Sequence, residues 1–399
     1  MALSRDQIAG RLRQFRESLG FTQAAVAAEL GVHRPTVSEI EAGRRAVTAE
    51  ELYRFARLYS VAVSEILAEV PAGAAEAAEL LAMRSDGAAT PGVRVALKAF
   101  VDDRKAEFEL EQLLGLAHPI SAAIRRDAPK PRDRTDAVKQ GEALANMERH
   151  QLGLGEAPIT SILHLIARQG VRIGPIRALE AEHIDGVYFE SADLGPCVGV
   201  NWRGGDWTGG RAAFTAAHEY AHVILRDTAR EVFVLAPGER DVQEVRANAF
   251  AAAFLMPREG LQAYFSEKGL LRDNEKALPH LTPAEVVRAM DHFGVSRSAL
   301  LFRLRNVGLI SPETAAALSA FVVANVANAA GIVFRERRYV GTRLPELAIH
   351  AWRQGSITTG RAADLCGMDL EGFMDVMRQL GEQQVLDDDA PPVGASAKG

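Results

Sequence analysis

The sequence predicts a mainly α chain with one small β-sheet: an all-α N-terminal domain, an α+β domain after it, and a helical C-terminal region. Three observations predict this. From Ile8 to Leu67 apolar residues recur at helical spacing in short runs broken by Gly20, Gly31 and Gly43. Three runs read as strands, Val171 to Ile176, Val187 to Ser191 and Cys197 to Trp202, and they precede an apolar helix carrying two histidines. Beyond residue 310 the pattern is helical again.

The 399 residues exceed what one core supports, and at about 150 residues per domain they suggest two or three domains. The boundaries read as 1–70 for the first domain, 71–135 for a helical linker, 136–310 for the α+β domain, 311–385 for a helical module and 386–399 for a disordered tail. A net charge of −6 excludes coating nucleic acid by bulk charge, so any DNA contact must be local. The two cysteines, Cys197 and Cys366, fall in no ligand-spaced cluster, which points to a reducing compartment. The N-terminus carries Arg5 and Asp6 where a signal peptide needs an apolar core, and no run of about 18 apolar residues occurs. The expectation is a cytoplasmic protein that does not enter a membrane.

In the first domain, Ile8, Leu12, Phe15 and Leu19 make one helix face, closed by Gly20. Val26, Leu30, Val32, Val37 and Ile40 then give the faces of two short helices; small Ala27 lets them approach, and Gly31 makes the turn between them. This is the helix-turn-helix pattern. Pro35 fits the first turn of a helix, where N–H groups have no partner. Thr48 and Glu51 form a capping box for a fourth helix, and Val63 to Leu67 make a fifth.

The linker opens on an Ala-rich stretch after Pro71, and residues 93–117 follow as a connecting helix. Asp127 to Arg134 is charged and contains prolines, so it reads as a solvated loop without chemistry. Val138 to Leu152 and Ile159 to Gln169 are helical; the strands follow, and a glycine turn at Arg203 to Asp206 leads into the histidine helix.

That helix writes His218-Glu219-x-x-His222 into an apolar run. Two histidines four residues apart stand one above the other on one face, so both imidazoles can reach a single ion at about 2 Å. Glu219 follows the first of them directly, where a carboxylate can take the proton of a water attacking a carbonyl. A catalytic zinc keeps three protein ligands. The third is absent from the later slots of this helix, where Leu225 and Thr228 stand, and Glu231, Glu239, Asp241 and Glu244 compete for it.

Two resemblances sharpen these readings. Thr22, Gln23 and Ala27, then Gly31-Val32, then Ile40-Glu41-x-Gly43 resemble the Xre-like group of the Cro/lambda-repressor helix-turn-helix domains, over residues 6–68. The resemblance implies that a double-stranded DNA operator is the partner. It places Gln23 on a phosphate, Arg34 and Thr36 toward the major groove, Glu39 one turn further on, and Arg44 and Arg45 near the DNA backbone. His33 departs from the family, which has a small hydroxyl cap there, and stands either as cap or as DNA contact. Among these Arg34 suits base reading best, since a guanidinium can grip guanine with two hydrogen bonds. Such a domain is compatible with a homodimer.

Phe214-Thr215-x-x-His218-Glu219-x-x-His222, with Glu244-x-x-Ala247-Asn248-x-Phe250-Ala251 and Leu255-Met256-Pro257, resembles the ImmA/IrrE family over residues 140–310. That resemblance implies a zincin-like metallopeptidase fold, Zn2+ on His218, His222 and Glu244, and Glu219 as general base. It also implies a protein substrate, typically a DNA-binding repressor cleaved under stress or mobile-element induction. The rival reading is a transcription regulator whose peptidase-like domain senses or binds a partner without proteolysis.

Thr282 and Glu285 form another capping box, opening a helix pair up to Val307 that is read as packing within the peptidase domain. His280 and His292 are read as surface or core residues. Pro312 to Gly331, rich in Ala and Val, reads as one buried helix. The turn Arg361 to Met368 echoes the N-terminal one, but Asp369, Glu371 and Asp375 would repel phosphate, so a small docking module is expected, with Cys366 as a small core residue. The tail from Asp387 is expected to be disordered.

Overall fold

A computed structural model of the chain describes residues 5–59, 61, 63–67, 91–116, 125–176, 185–191, 194–201, 210–225, 242–272, 275, 277–278, 280–334 and 343–388. It is mainly α, with one three-stranded sheet. Two compact units are present: Met1–Asp102 with Pro119–Gly341, and Asp103–His118 with Thr342–Gly399. Among the described residues no helix is long and apolar enough to cross a membrane.

The first unit opens with α1 (Arg5–Ser18), α2 (Gln23–Leu30), α3 (Arg34–Glu41), α4 (Ala49–Tyr59) and α5 (Val63–Leu67). Their apolar stripes close over Leu12, Val26, Val37, Ile40, Phe55 and Tyr59. Gly31 ends α2 in the left-handed region, at φ 66°, a conformation that a side chain would strain. The Thr48 hydroxyl accepts from the Glu51 N–H at 3.1 Å, and the Glu51 carboxylate accepts from the Thr48 N–H at 3.0 Å, which completes the capping box.

Helix α6 (Pro91–Leu113) is more than a connector. Val95 packs on the core of the first five helices, and Phe100 meets Phe189 edge-on at 6.1 Å. The segment after residue 124 is also packed rather than wholly solvated. Pro131 is buried, the Arg126 N–H donates to the Ile224 carbonyl at 2.8 Å, and the Pro129 carbonyl accepts from Arg246. Its prolines therefore shape a strap across neighbouring helices.

The α+β region runs α7 (Arg134–Gln151), α8 (Ile162–Arg168), β1 (Arg172–Ile176), β2 (Gly186–Ser191), β3 (Gly195–Asn201), α9 (Gly210–Leu225), α10 (Val242–Leu255), α11 (Arg258–Glu267), α12 (Pro283–Phe293) and α13 (Arg297–Asn306). Helix α8 starts three residues later than its apolar pattern because Ser161 caps it, accepting from the His164 N–H. In the sheet order β1-β3-β2, β3 is central and buried along its length, parallel to β1 and antiparallel to β2. Tyr220 of α9 lies against Phe250 and Phe254 of α10, and the three join Leu144 and Ala145 of α7 in one core. His292 lies tilted against Tyr264, with ring centroids 4.5 Å apart, and His280 is exposed.

The expected helix from Pro312 to Gly331 is two: α14 (Pro312–Ala317) and α15 (Val323–Ala329), both largely exposed. The Ser319 hydroxyl bonds the Ala316 carbonyl, and Phe321 gives its carbonyl and its ring to Arg297, so the chain bends there. Few large apolar residues were available to bury this stretch.

In the second unit the end of α6 packs with α16 (Arg343–Arg353) through Ala106, Leu110, Leu344 and Leu347. There α17 (Thr359–Cys366) ends at left-handed Gly367, as α2 does at Gly31, and is followed by α18 (Leu370–Asp388). Cys366 is half-buried against both apolar clusters of this unit. Helix α18 continues through Asp388, past the expected start of the tail, because Asp369 caps its first turn and Phe373 and Met377 anchor it. The remaining tail, the Ala-rich stretch before residue 91 and the glycine turn at 203–206 lie outside the described residues.

Helices α7 and α10 meet most closely at Gly141. A Cβ there would sit on the Arg246 carbonyl oxygen, 2.8 Å from Ala249 Cβ and 2.9 Å from the Phe250 nitrogen. Ala ordinarily gains about 1 kcal/mol over Gly inside a helix, but overpacking against backbone costs about 1–3 kcal/mol. Gly141→Ala should therefore lower stability in denaturant unfolding. A neutral or stabilising result would mean that the two helices have room to separate.

Candidate metal centre and DNA-reading helix

Helix α9 places His218 and His222 one turn apart, and α10 crosses it with Glu244 in its first turn. The Nε2 atoms of the two rings stand 3.2 Å apart. Glu244 Oε2 lies 3.1 Å from His218 Nε2, and its Oε1 lies 3.1 Å from His222 Nε2. For bonds of about 2 Å at tetrahedral angles, ligand atoms around one zinc ion are separated by roughly 3.3 Å. Among the described residues this is the one group of three His, Cys, Asp or Glu side chains able to hold a metal. Two imidazoles and a carboxylate suit zinc, so the donor set and its spacings fit the ion. Burial pushes the Glu244 carboxyl upward, but hydrogen bonds and charge from both histidines outweigh it and hold the group at about 2.

Glu219 is buried beside this cluster, and its Oε2 has no hydrogen-bond partner among the described residues. Burial raises its proton affinity and the two histidines oppose that rise. A buried carboxylate with an unmatched oxygen is costly unless a cation or a polar group completes it. Strand β2 begins against this carboxylate: a Cβ on Gly186 would come within 2.5 Å of Thr215 Cγ2 and 2.6 Å of Glu219 Oε1. The preceding residue, Asp185, receives one Arg211 nitrogen on both oxygens, at 2.7 and 2.8 Å, which ties the start of β2 to the first turn of α9. Asn248 reaches His218 Nδ1 with its Oδ1 at 3.2 Å.

Sequence reading left Gly186, Asp185 and Arg211 without a role, since nothing local marks them. Asn248 was likewise given no role, although it stands four residues after Glu244 on the same face. Glu231, Glu239 and Asp241, the competitors for the third ligand, lie outside the described residues.

In the N-terminal domain, α3 buries Val37, Ile40 and Glu41 and exposes Arg34 and Glu39, with Thr36 half-buried between them. His33 stands at the N-cap position of α3 but makes no side-chain cap bond, and Pro35 occupies the first turn. Arg44 is exposed, whereas Arg45 donates to Glu51 at 2.8 Å. Gln23 opens α2, and its Nε2 donates to Glu41 Oε2 at 3.0 Å. An amide carries two N–H donors, so one remains for a phosphate. Glu41 also receives Arg16 Nε at 2.7 Å. Burial, followed by the charge of Glu41, pushes the Tyr59 phenol above its usual range. This Arg16–Glu41–Gln23 network was missed, although Glu41 falls four residues after Val37, on the buried face.

An all-α helix-turn-helix unit followed by a small sheet and a His-Glu-x-x-His helix defines a DNA-binding protein with a metallopeptidase-like domain. Comparison with known families agrees: residues 12–66 match a helix-turn-helix family, and residues 167–305 match the IrrE N-terminal-like domain. The chain is thus an N-terminal Xre-like helix-turn-helix domain fused to an ImmA/IrrE-like domain. No curated protein and no solved structure matches it.

The contact between Gly186 and Glu219 can be tested without a substrate. Gly186→Ala should destabilise the chain, and should cost less in a Glu219→Ala background, with a coupling of about 0.5–3 kcal/mol in a double-mutant unfolding cycle. Additive effects would place β2 away from Glu219.

Proposed function

We propose that the chain is a transcriptional regulator that binds a double-stranded operator, and that its ImmA/IrrE-like domain is a zinc endopeptidase acting on a regulatory protein such as a repressor, in a stress or mobile-element response. The observation that carries the enzymatic part is the convergence of His218, His222 and Glu244 at 3.1–3.2 Å beside buried Glu219. These three side chains would hold the ion. Zinc supplies Lewis acidity, which polarises a carbonyl oxygen and makes a nearby water a stronger acid. Glu219 then takes the proton of the water that attacks the peptide carbonyl carbon, and returns it to the departing amine as the C–N bond breaks. Its burial suits proton transfer, because a raised proton affinity makes the carboxylate a stronger base.

The DNA-binding part rests on α3, which offers Arg34 and Thr36 for base contact, with Gln23, His33, Glu39, Arg44 and Arg45 around it. Arg34 is exposed at the first position of α3, where a recognition helix contacts base edges. A homodimer on a two-fold operator and a cytoplasmic location are consistent with this reading.

Two experiments test the two halves. Glu219→Gln should keep zinc and abolish cleavage when zinc-loaded protein is incubated with repressors encoded nearby, because an amide occupies the site without accepting the proton. Cleavage by the variant contradicts the mechanism; absence of cleavage by the wild type favours a domain that binds its partner without cutting it. Arg34→Ala should weaken binding to a selected operator by about 1–3 kcal/mol and relax preference at one base pair. Unchanged affinity removes Arg34 from the reading set.

A further inference from the structure

Asn248 stands one helical turn beyond Glu244 on α10, so the two side chains rise from the same face. Its Oδ1 lies 3.2 Å from Nδ1 of His218. The other nitrogen of that ring, Nε2, faces Glu244 Oε2 at 3.1 Å and His222 Nε2 at 3.2 Å. A neutral imidazole carries one proton, and a metal takes the nitrogen that lacks it. An amide oxygen only accepts hydrogen bonds. It is therefore satisfied by His218 when the proton sits on Nδ1, which leaves the Nε2 lone pair directed toward the other two donors.

We propose that Asn248 is a positioning residue that fixes both the ring orientation and the metal-ready tautomer of His218 by accepting its Nδ1 proton. The inference rests on the zinc reading given above. One helix then supplies a ligand, Glu244, and the tether of another ligand, so any displacement of α10 moves two of the three donors together. The amide is neutral, and the ligand set keeps a single negative charge, that of Glu244, against a divalent ion. A carboxylate at position 248 would accept the same proton and make the imidazole a stronger donor; an apolar side chain of the same size would leave the ring free to exchange tautomers and turn.

The experiment compares wild type, Asn248→Leu and Asn248→Asp in the full chain. Zinc affinity is measured by competition with a chromophoric chelator, and the His218 tautomer by NMR of metal-free protein labelled with 15N in the histidine rings. The wild type should take up one zinc; failure to do so overturns the metal centre itself, separately from the role of Asn248. Given uptake by the wild type, Asn248→Leu should bind zinc about 10–100-fold more weakly and show mixed tautomers, while Asn248→Asp should bind at least as tightly as wild type with its proton on Nδ1. Wild-type affinity and an unmixed Nδ1–H tautomer in a folded Leu variant would overturn the proposal. Should the Leu variant fail to fold, the Asp variant decides: tenfold or greater loss of affinity there overturns it, and retained affinity with the Nδ1–H tautomer supports it.

Discussion

Three donor atoms from two helices converge to about 3 Å only if the second helix is held at a fixed height and rotation, and the packing of α10 provides that constraint. Its first turns lie against Gly141 of α7 without room for one methyl group. Its aromatic residues interleave with Tyr220 of α9, the helix that bears both histidines. Its C-terminal carbonyls would otherwise be without partners. Arg149 donates to the Phe254 carbonyl and Arg303 to the Met256 carbonyl, so two buried guanidiniums close the helix end. Burial lowers Arg149 to about 10, with Glu156 opposing that fall, and it remains charged at neutral pH. Glu148, on α7, accepts from Tyr220 at 2.7 Å and from Arg126 at 2.9 Å, which binds α7, α9 and the proline strap to one another. A metal bond tolerates only a few tenths of an ångström of error. Here helix packing and buried hydrogen bonds hold the three side chains within that tolerance.

The N-terminal domain solves a related problem with a charge. Glu41 ends α3, yet it is buried, and such a carboxylate is stabilised only when its oxygens are filled. Arg16 from α1 and Gln23 from α2 fill them. The network ties three helices at one point, and it also limits what each residue can give to DNA. Gln23 keeps one donor, while Arg45, engaged with Glu51, keeps less freedom than exposed Arg34 and Arg44. In a chain of net charge −6, any attraction for phosphate must come from local cations of this kind.

What the sequence made legible was what helical periodicity makes local. The spacing of His218, Glu219 and His222, the Gly31 turn and the capping boxes at Thr48 and Thr282 follow from neighbours within one or two turns. The small sheet was visible as three apolar runs, and Glu244 stood out because it opens a rigid apolar helix. Features that depend on two distant segments meeting were not legible. Gly186 is one, an ordinary strand-end glycine until Glu219 is placed beside it; Gly141 is another. The single helix expected over Pro312 to Gly331 failed for a related reason: its composition is helical, but Phe321 is drawn to Arg297 in space, which no local pattern records.

The central claim is that one zinc ion sits on two imidazoles and one carboxylate contributed by α9 and α10. X-ray absorption at the zinc edge on the purified full chain tests it most directly. The account predicts one zinc per chain, with two imidazole nitrogens at about 2.0–2.1 Å, a carboxylate oxygen at about 2.0–2.2 Å and no sulfur. A shell containing sulfur at about 2.3 Å, or one without imidazole, would contradict it.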